Sequence, residues 1–354
     1  MQLNQRITAF SKLGGFLKNF EFKNDFTAKN LTLDQKWFTG FENIIRNAHV
    51  YNAWFTEDMV RLAIKGWAEN LTEESLNQWM NGYADGEKKD APKKVAVVMA
   101  GNLPLVGFHD FLSILITGHK VIAKLSSKDK FLLPYLAEVL IHIEPDFKDK
   151  ITFTEEKLPA FDAVIATGSN NSARYFEYYF KNKPHIIRKN RNGVAVLTGN
   201  ETAAQLDGLA TDIFSFFGMG CRSVSKIYFP EDYDFDTFFN SMYAYKEVIN
   251  HDKYVNNYDY NKAVYLMGLE PLLDNNFMIL KEDPSFSSPI AVIFYEKYKD
   301  AETLKAQLKP SKEQIQCVVS SGFTKNEVAF GHAQQPLLSD YADGVDTIAF
   351  LSKI

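Results

Sequence analysis

The most reactive side chain that the sequence offers is a cysteine preceded by two closely spaced glycines. The segment 216–223 (FFGMGCRS) follows a stretch with helical periodicity and contains Gly218, Gly220 and Cys221. Glycine allows positive φ and a close approach of ligand to backbone, so a thiol here can be exposed beside backbone N–H groups. Arg222 would favour the thiolate form of that side chain. The alternative is an inert cysteine, since cysteines without disulfides are among the residues most often buried.

The other cysteine, Cys317, lies in the apolar run 316–319 (QCVV), where we expect it to be buried or to border the site without acting as the nucleophile. Two cysteines in 354 residues form no disulfide framework. None of the seven histidines has the spacing of a metal-ligand pair, so the sequence predicts no metal site.

The amide of Asn102 is a second candidate. It follows the apolar run 95–100 (VAVVMA), which is typical of a buried parallel strand. Ligands of α/β sheets bind at the carboxyl ends of strands, and an amide there can donate to a developing oxyanion. The segment 101–104 (GNLP) is equally consistent with an ordinary turn, because Gly, Asn and Pro favour turns for local reasons.

Polar segments also end two further predicted strands, and a nucleotide cofactor is expected at such places. The residues concerned are Lys124, Ser126 and Ser127 after the second strand and Thr167, Gly168 and Ser169 after the fourth. No carboxylate occurs in the second-strand segment before Asp129, which favours NADPH over NADH because an acid there would repel the 2′-phosphate. The strand–glycine–helix junction at Gly168 suits a dinucleotide near a helix N-terminus. The alternative is that the lysines are simply solvated.

An absence of acids marks the stretch from Tyr178 to Asn200, which has no Asp or Glu. Its basic residues are Lys181, Lys183, Arg188, Lys189 and Arg191. A cationic face here would suit the phosphates of a cofactor or of coenzyme A, although a solvated edge explains the pattern equally well.

The elements that must position these residues divide the chain into four predicted regions. Residues 1–93 are helical, with Thr72 capping a helix that begins at Glu73 and a polar linker over 85–94. Short apolar strands alternate with helices over 94–198, which predicts a doubly wound cofactor-binding domain. A second α/β series over 199–325 begins with a helix at 201–217, capped at Asn200, and forms the domain that carries Cys221. Residues 326–354 form a C-terminal segment.

Composition excludes several classes of protein. The apolar fraction of 46% is that of a globular chain, and the net charge of −5 argues against a nucleic-acid binder. No apolar run reaches the length of a membrane span, and residues 1–20 contain no signal-peptide pattern, so the expected location is the cytoplasm.

Taken in order, the segments around Asn102, Lys124, Gly168 and Cys221, together with 288–292 (SPIAV), resemble the aldehyde dehydrogenase superfamily over roughly residues 94–325. The closer resemblance is to its acyl-CoA reductase branch, similar to the fatty acyl-CoA reductase of bacterial luminescence (LuxC-like). In that family the matching segments supply an oxyanion donor, a ribose site, a cofactor loop, a nucleophile and a nicotinamide ribose site. Three residues differ from the family pattern: Ser127 replaces an acid, Met219 replaces a Gln, and Ser285, with Glu282 near it, replaces a Glu.

The resemblance implies an aldehyde dehydrogenase-like α/β fold with the active site between the cofactor and catalytic domains. It also implies that acyl-CoA and NADPH give aldehyde through a thioester on Cys221, with Asn102 as the oxyanion donor. His109 and His185 are candidate proton shuttles or structural residues. A homo-oligomer is expected, with residues 331–354 at the subunit interface. Two alternatives stay open: a non-catalytic scaffold or acyl-binding module of the same fold, and an acyl-phosphate reductase.

Overall fold

The computed structural model describes residues 1–23, 33–83 and 91–354, which form two compact units. The first unit contains residues 1–189 and 337–354, and the second contains residues 190–336. Most of the predicted linker at 85–94 lies outside the described residues.

The first unit packs helices on both faces of a parallel sheet whose strand order is β3-β2-β1-β4-β5. Its strands are β1 Lys94–Val98, β2 Lys120–Lys124, β3 Ile151–Thr154, β4 Ala163–Thr167 and β5 His185–Arg188. Its helices are α1 Leu3–Leu17, α2 Gln35–Tyr51, α3 Glu57–Asn70, α4 Glu73–Asn81, α5 Phe108–Ile116, α6 Leu132–Ile143, α7 Asn170–Phe180 and α12 Thr347–Leu351. Strand residues alternate between two apolar cores, with Val95 and Val97 facing the larger one and Ala96 the smaller.

The second unit is built on a six-stranded sheet of order β11-β6-β7-β10-β9-β8, parallel except for β8. Its strands are β6 Asn192–Val196, β7 Val224–Pro230, β8 Leu272–Asp274, β9 Ile279–Glu282, β10 Val292–Tyr298 and β11 Ile315–Val319. Its helices are α8 Ala203–Phe214, α9 Phe235–Met242, α10 Asp252–Met267 and α11 Ala301–Leu308. Helices α8 and α9 cover one face of this sheet, and α11 covers the other.

The observed units differ from the predicted domain boundaries at two places. The N-terminal helices are not a separate region, because Phe10 and Phe16 share one core with Phe108 and Phe111 of α5. The second boundary lies at 189/190 and not at 198/199. Strand β6 pairs with β7 and with the distant β11, so it belongs to the second sheet.

Local helix signals were correct at one cap and wrong at another. Thr72 accepts the backbone N–H of Ser75 and caps α4, as predicted. The helix predicted at 201–217 is shorter: α8 begins after Thr202, which accepts the N–H of Gln205, so Asn200 is not its cap. The helix ends at Phe214 because Phe216, Phe217 and Gly218 adopt positive φ values of 53°, 57° and 74°.

The C-terminal segment is part of the first unit. Leu338, Ile348 and Leu351 are buried in its larger core, and the carbonyl of Leu351 is bonded to Nε2 of His119. The predicted segment 331–354 is therefore divided, since residues up to 336 belong to the second unit. A subunit interface stays a prediction for the exposed residues of this segment, such as Leu337 and Val345.

Replacing Leu351 by Ala should destabilise the first unit by about 2–5 kcal/mol, because a fully buried side chain is lost and a cavity remains. Urea unfolding followed by tryptophan fluorescence measures this directly, since Trp37, Trp54, Trp67 and Trp79 all lie in that unit. The matched control Leu337→Ala removes an exposed leucine and should leave the unfolding midpoint unchanged. Equal midpoints for the two variants would contradict the packing of the tail.

Candidate active site

Three strand ends in the first unit bring the predicted cofactor residues to one edge of a sheet. Strands β2, β1 and β4 are adjacent and parallel, so their carboxyl ends lie side by side. The backbone at Gly101 lies directly against Ser126, because a Cβ built on Gly101 would stand 2.2 Å from the Ser126 Oγ. Position 101 therefore has no room for a side chain, because the chain after β1 passes close to the end of β2.

One buried and one half-buried polar side chain hold the loop that carries Asn102. The side-chain amide of Asn52 donates to the carbonyl of Gly101 at 3.2 Å. The carboxylate of Asp129 accepts the N–H of Leu105 at 3.1 Å, and Leu105 adopts a positive φ of 58°. Burial raises the pKa of Asp129 to about 6. The Asn102 side chain itself is exposed at the end of β1, where the sequence predicted a functional amide.

The end of β2 offers cations and hydroxyls without an outward-facing acid. Ser127 and Lys128 are exposed, and Lys124 is half-buried. Neither lysine has a side-chain hydrogen bond or ion pair within the described parts of the chain. The nearest acid in sequence, Asp129, accepts the backbone N–H groups of Leu105 and Leu132. These are the residues that the sequence predicted for the cofactor, and that role stays a prediction.

The end of β4 leads directly into α7 through Gly168 and Ser169. Ser169 caps the helix by accepting the N–H of Ser172. A Cβ on Gly168 would stand 2.8 Å from the Cβ of Ser172, so the glycine is required by the close approach of the helix. A helix N-terminus at the point where strand order reverses is a place that suits the phosphates of a dinucleotide.

The five basic residues between Tyr178 and Asn200 do not form one cationic face. Arg188 is buried, forms an ion pair with Asp110 at 2.5 Å and donates to Thr347 at 3.1 Å. Lys189 is paired with Glu177 at 2.9 Å. Arg188 thus joins β5, α5 and the C-terminal helix, and it is not available to a phosphate.

Cys221 is an exposed residue of the second unit, and it lies in a turn between α8 and β7. The N–H of Ser223 donates to the carbonyl of Gly220 at 3.0 Å and closes this turn, which we call the nucleophile turn (residues 220–223). The three left-handed residues Phe216–Gly218 precede it. A left-handed phenylalanine costs of order 1–3 kcal/mol, and such strain is concentrated at functional sites. The aromatic ring of Phe217 packs on His251 at 4.5 Å.

The C-terminal half of the nucleophile turn is bonded to the segment 331–334. Arg222 donates through Nε to the carbonyl of Ala333 at 2.5 Å, and Gln334 donates to Ser223 Oγ at 3.1 Å. The carboxylate of Asp212, on α8, accepts the N–H groups of Gly331 and Ala333. Burial raises the pKa of Asp212 to about 6.

Cys317 is buried behind the nucleophile turn, as predicted. Its thiol donates to the carbonyl of Arg222 at 3.7 Å. Burial raises the pKa of this thiol to about 11, against a smaller opposing effect of the Arg222 guanidinium. At neutral pH Cys317 is therefore a protonated thiol. It is also buried, whereas Cys221 is exposed.

The segment 288–292 lies beside the nucleophile turn within the second unit. A small cavity is lined by Phe217, Gly218 and Ser225 together with Pro289 and Ala291. Ser285 donates its N–H to Asp283, whose carboxylate is also bonded to Lys281. Glu282 is exposed at the end of β9.

The two histidines considered as proton shuttles have structural surroundings. His109 is half-buried, its Nε2 is bonded to the carbonyl of Leu338 at 2.9 Å, and burial lowers its pKa. His185 is exposed at the start of β5 and bonded to the carbonyl of Lys183.

Sequence reasoning missed the residues that hold the two loops, namely Asn52, Asp129, Asp212, Ser223 and Gln334. One signal was available for Asp212, because it lies between Leu209 and Ile213 on the apolar side of α8. A carboxylate in such a place must accept hydrogen bonds to offset its burial. The partners, 119 and 121 residues further along the chain, had no comparable signal.

Among the described residues no group of His, Cys, Asp and Glu side chains could hold a metal ion. The helices in the same residues include none with the length and apolar character that a membrane crossing requires.

Comparison with known families finds a match over residues 10–243, well over half of the chain, to the model described as acyl-CoA reductase (LuxC). A long-chain acyl-protein thioester reductase of Vibrio harveyi is 25% identical over 232 residues, covering 56% of this chain and 47% of the relative. Its counterpart in Aliivibrio fischeri is 26% identical over 177 residues, covering 44% and 36%. The chain thus spans less than half the length of these relatives.

Solved structures show the fold. Aldehyde dehydrogenase 21 of Physcomitrella patens matches 90% of this chain and 73% of its own, with a TM-score of 0.59 at 13% identity. An aldehyde dehydrogenase of Mycobacterium tuberculosis, complexed with NAD⁺, matches the same shares with a TM-score of 0.59 at 11% identity. The α/β fold is therefore aldehyde dehydrogenase-like, as predicted.

Replacing Gly193 by Ala should destabilise the second unit by about 1–3 kcal/mol, because the added methyl group overpacks the nucleophile turn just before β7. A Cβ at Gly193 would stand 2.6 Å from the carbonyl oxygen of Arg222 and 2.7 Å from that of Ser223. Thermal melting by circular dichroism provides the measurement. Gly66→Ala, in open space on α3, is the control and should keep or raise the melting temperature. An unchanged melting temperature for Gly193→Ala would contradict this close contact.

Proposed function

Because this chain belongs to the acyl-CoA reductase (LuxC) family, we propose that it reduces a fatty acyl thioester to the aldehyde through a covalent thioester on Cys221. The observation that carries the proposal is the exposed Cys221, followed by two residues that are hydrogen-bonded to segment 331–334, while the only other cysteine is buried and protonated at neutral pH. A held, accessible thiol is what an attack on a thioester carbonyl requires.

In the first step Cys221 attacks the acyl carbon as a thiolate, its proton having been released to solvent. A new carbon–sulfur bond forms, the bond to the original thiol breaks, and that thiol leaves with the electron pair as a thiolate. This leaving group needs little acid catalysis. The role assigned to Asn102 is to donate its side-chain N–H to the carbonyl oxygen as negative charge develops there.

A nicotinamide cofactor, when bound, supplies a hydride to the acyl carbon. The residues assigned to hold it are Lys124, Ser126, Ser127, Thr167, Gly168 and Ser169. Their support is the shared sheet edge, the helix N-terminus at Ser169 and the close passage of Gly101 by Ser126. Ser127, Lys124 and Lys128 favour NADPH, since they leave room and charge for a 2′-phosphate and neither lysine has an ion pair among the described residues.

The expected product is the aldehyde and not the free acid. Hydrolysis of an acyl-cysteine requires a general base to activate water, a contribution worth roughly 10²–10⁴-fold. No Asp or Glu occurs from Tyr178 to Asn200, the stretch where the superfamily carries its base. The acyl group should therefore remain on Cys221 until hydride reduces it and the sulfur departs.

The thioester substrate has two candidate forms, an acyl-CoA and an acyl-protein. The family description names acyl-CoA, and the relatives from Vibrio harveyi and Aliivibrio fischeri are named for acyl-protein thioesters. Both present the same reacting group to Cys221. Our proposal takes acyl-CoA as the substrate, and it keeps the non-catalytic acyl-binding module and the acyl-phosphate reductase as outcomes of the following test.

Incubation with radiolabelled palmitoyl-CoA should transfer acyl to Cys221 and, after addition of NADPH, release aldehyde. The label should be absent from Cys221→Ala and present on Cys317→Ala, because burial keeps Cys317 protonated. Gel autoradiography and aldehyde trapping measure the two steps. Labelling of Cys221→Ala at the wild-type level would disprove the assignment. A wild type without any label would favour the binding module, and stronger competition by acyl phosphate than by acyl-CoA would favour the third candidate.

Ser127→Glu should lower kcat/KM for NADPH by roughly tenfold and leave that for NADH nearly unchanged, since a carboxylate would face the 2′-phosphate. The neutral control Ser127→Gln has the same size without the charge. Steady-state kinetics with both reduced cofactors provide the comparison. The same NADPH-to-NADH ratio in the two variants would remove the end of β2 from the cofactor site.

A further inference from the structure

The segment 331–334 is hydrogen-bonded to the two residues that follow Cys221 in the nucleophile turn. Arg222 donates to the Ala333 carbonyl, and the Gln334 amide donates to Ser223 Oγ. The same Ser223 oxygen accepts the N–H of Gly220 at 3.1 Å. Residues immediately before and after the thiol are thus fixed through two side chains.

This segment is hydrogen-bonded to helix α8. Both oxygens of the Asp212 carboxylate are used: one accepts the Gly331 N–H at 2.7 Å, and the other accepts the Ala333 N–H at 2.9 Å. One turn earlier, a Cβ on Gly208 would stand 2.8 Å from the carbonyl carbon of Phe330. The helix therefore presents a glycine for close approach and a carboxylate for hydrogen bonds on one face.

The burial of Asp212 is costly and calls for a role. Its side chain has no exposed surface, and it stands among apolar neighbours on α8. An apolar residue would fill the same space without desolvating a charge, so burial alone does not account for an aspartate. What an apolar residue would not provide is the pair of acceptors that fixes the backbone of 331–333.

We propose that Asp212 is a positioning residue for Cys221, acting through segment 331–334 on the nucleophile turn. The inference rests on the proposed function of Cys221. Attack on a carbonyl carbon requires the sulfur in a narrow range of positions, and a displacement of about 1 Å can cost on the order of 10²-fold in rate. Asp212 keeps the turn within that range, while it does not contact the thioester.

A purely structural role predicts a different pattern, and Glu327 offers a matched control. Its carboxylate, also in the second unit, accepts the N–H groups of Phe323 and Thr324 at 2.8 and 3.1 Å, together with the hydroxyl of Ser320. It therefore fixes a loop in the same manner as Asp212. Among the described residues, no hydrogen-bond partner of Glu327 belongs to the nucleophile turn or to segment 331–334.

The test compares Asp212→Asn, Gln334→Ala and Glu327→Gln in the full chain. Acyl transfer from palmitoyl-CoA to Cys221 should slow by roughly 10–100-fold in the first two variants and by less than about twofold in Glu327→Gln. Alkylation of Cys221 by iodoacetamide should change by no more than about threefold in all of them, because a small reagent needs no alignment. Gln334→Ala keeps the test decisive if Asp212→Asn fails to fold, since it breaks only the bond to Ser223.

Hydrogen exchange of the peptide 219–224 separates this inference from the proposed function. Faster exchange in Asp212→Asn and Gln334→Ala, but not in Glu327→Gln, supports the inference. This holds even if palmitoyl-CoA leaves no acyl group on the wild type, because that result would contradict only the proposed function. Equal exchange in all variants overturns it. The inference is also overturned if Asp212→Asn and Glu327→Gln lose acyl transfer in the same proportion to the fall in their melting temperatures.

Discussion

A hydrogen bond from a backbone N–H to a buried or half-buried carboxylate is the interaction that holds both candidate reactive loops. Asp129 accepts the N–H of Leu105 in the loop that carries Asn102, and Asp212 accepts those of Gly331 and Ala333, which fix the turn of Cys221. Burial raises both pKa values to about 6 from a reference of 3.8. Relative to the unfolded chain, their stabilising contribution is therefore complete below about pH 4 and is lost as the pH rises through 6.

At neutral pH both carboxylates are thus ionised, although the loss of hydration makes the charged form unfavourable in the folded protein. Each offers stronger acceptors than a neutral amide or hydroxyl would, because a charged oxygen shortens and strengthens its hydrogen bonds. This desolvation cost occurs beside two loops that must keep one conformation. In one loop Leu105 has a positive φ, and in the other the left-handed residues Phe216 and Phe217 precede the thiol.

The sequence predicted what depends on local pattern. Apolar runs located β1, β2 and β4, and the polar residues after them identified the shared sheet edge. The sequence did not predict features that depend on strand pairing between distant segments. Strand β6 contains only five residues, one of them a glycine, and it belongs to the second sheet because it pairs with β11, more than a hundred residues later. The basic residues around Arg188 suggested a cationic face, whereas the partner that buries Arg188 is Asp110, 78 residues earlier.

The chain leaves the first unit at residue 189 and returns to it only at residue 337. During synthesis, the larger apolar core around Phe10 and Phe108 therefore stays without Ile348 and Leu351 until the entire second unit has been made. Joining ends this far apart in sequence is a slow, non-local event, and an incompletely covered core favours aggregation. The tail can cover this core only after residues 337–354 have been synthesised, and a nascent chain that stalls before residue 337 would expose this apolar surface to the cellular machinery that recognises unfolded proteins.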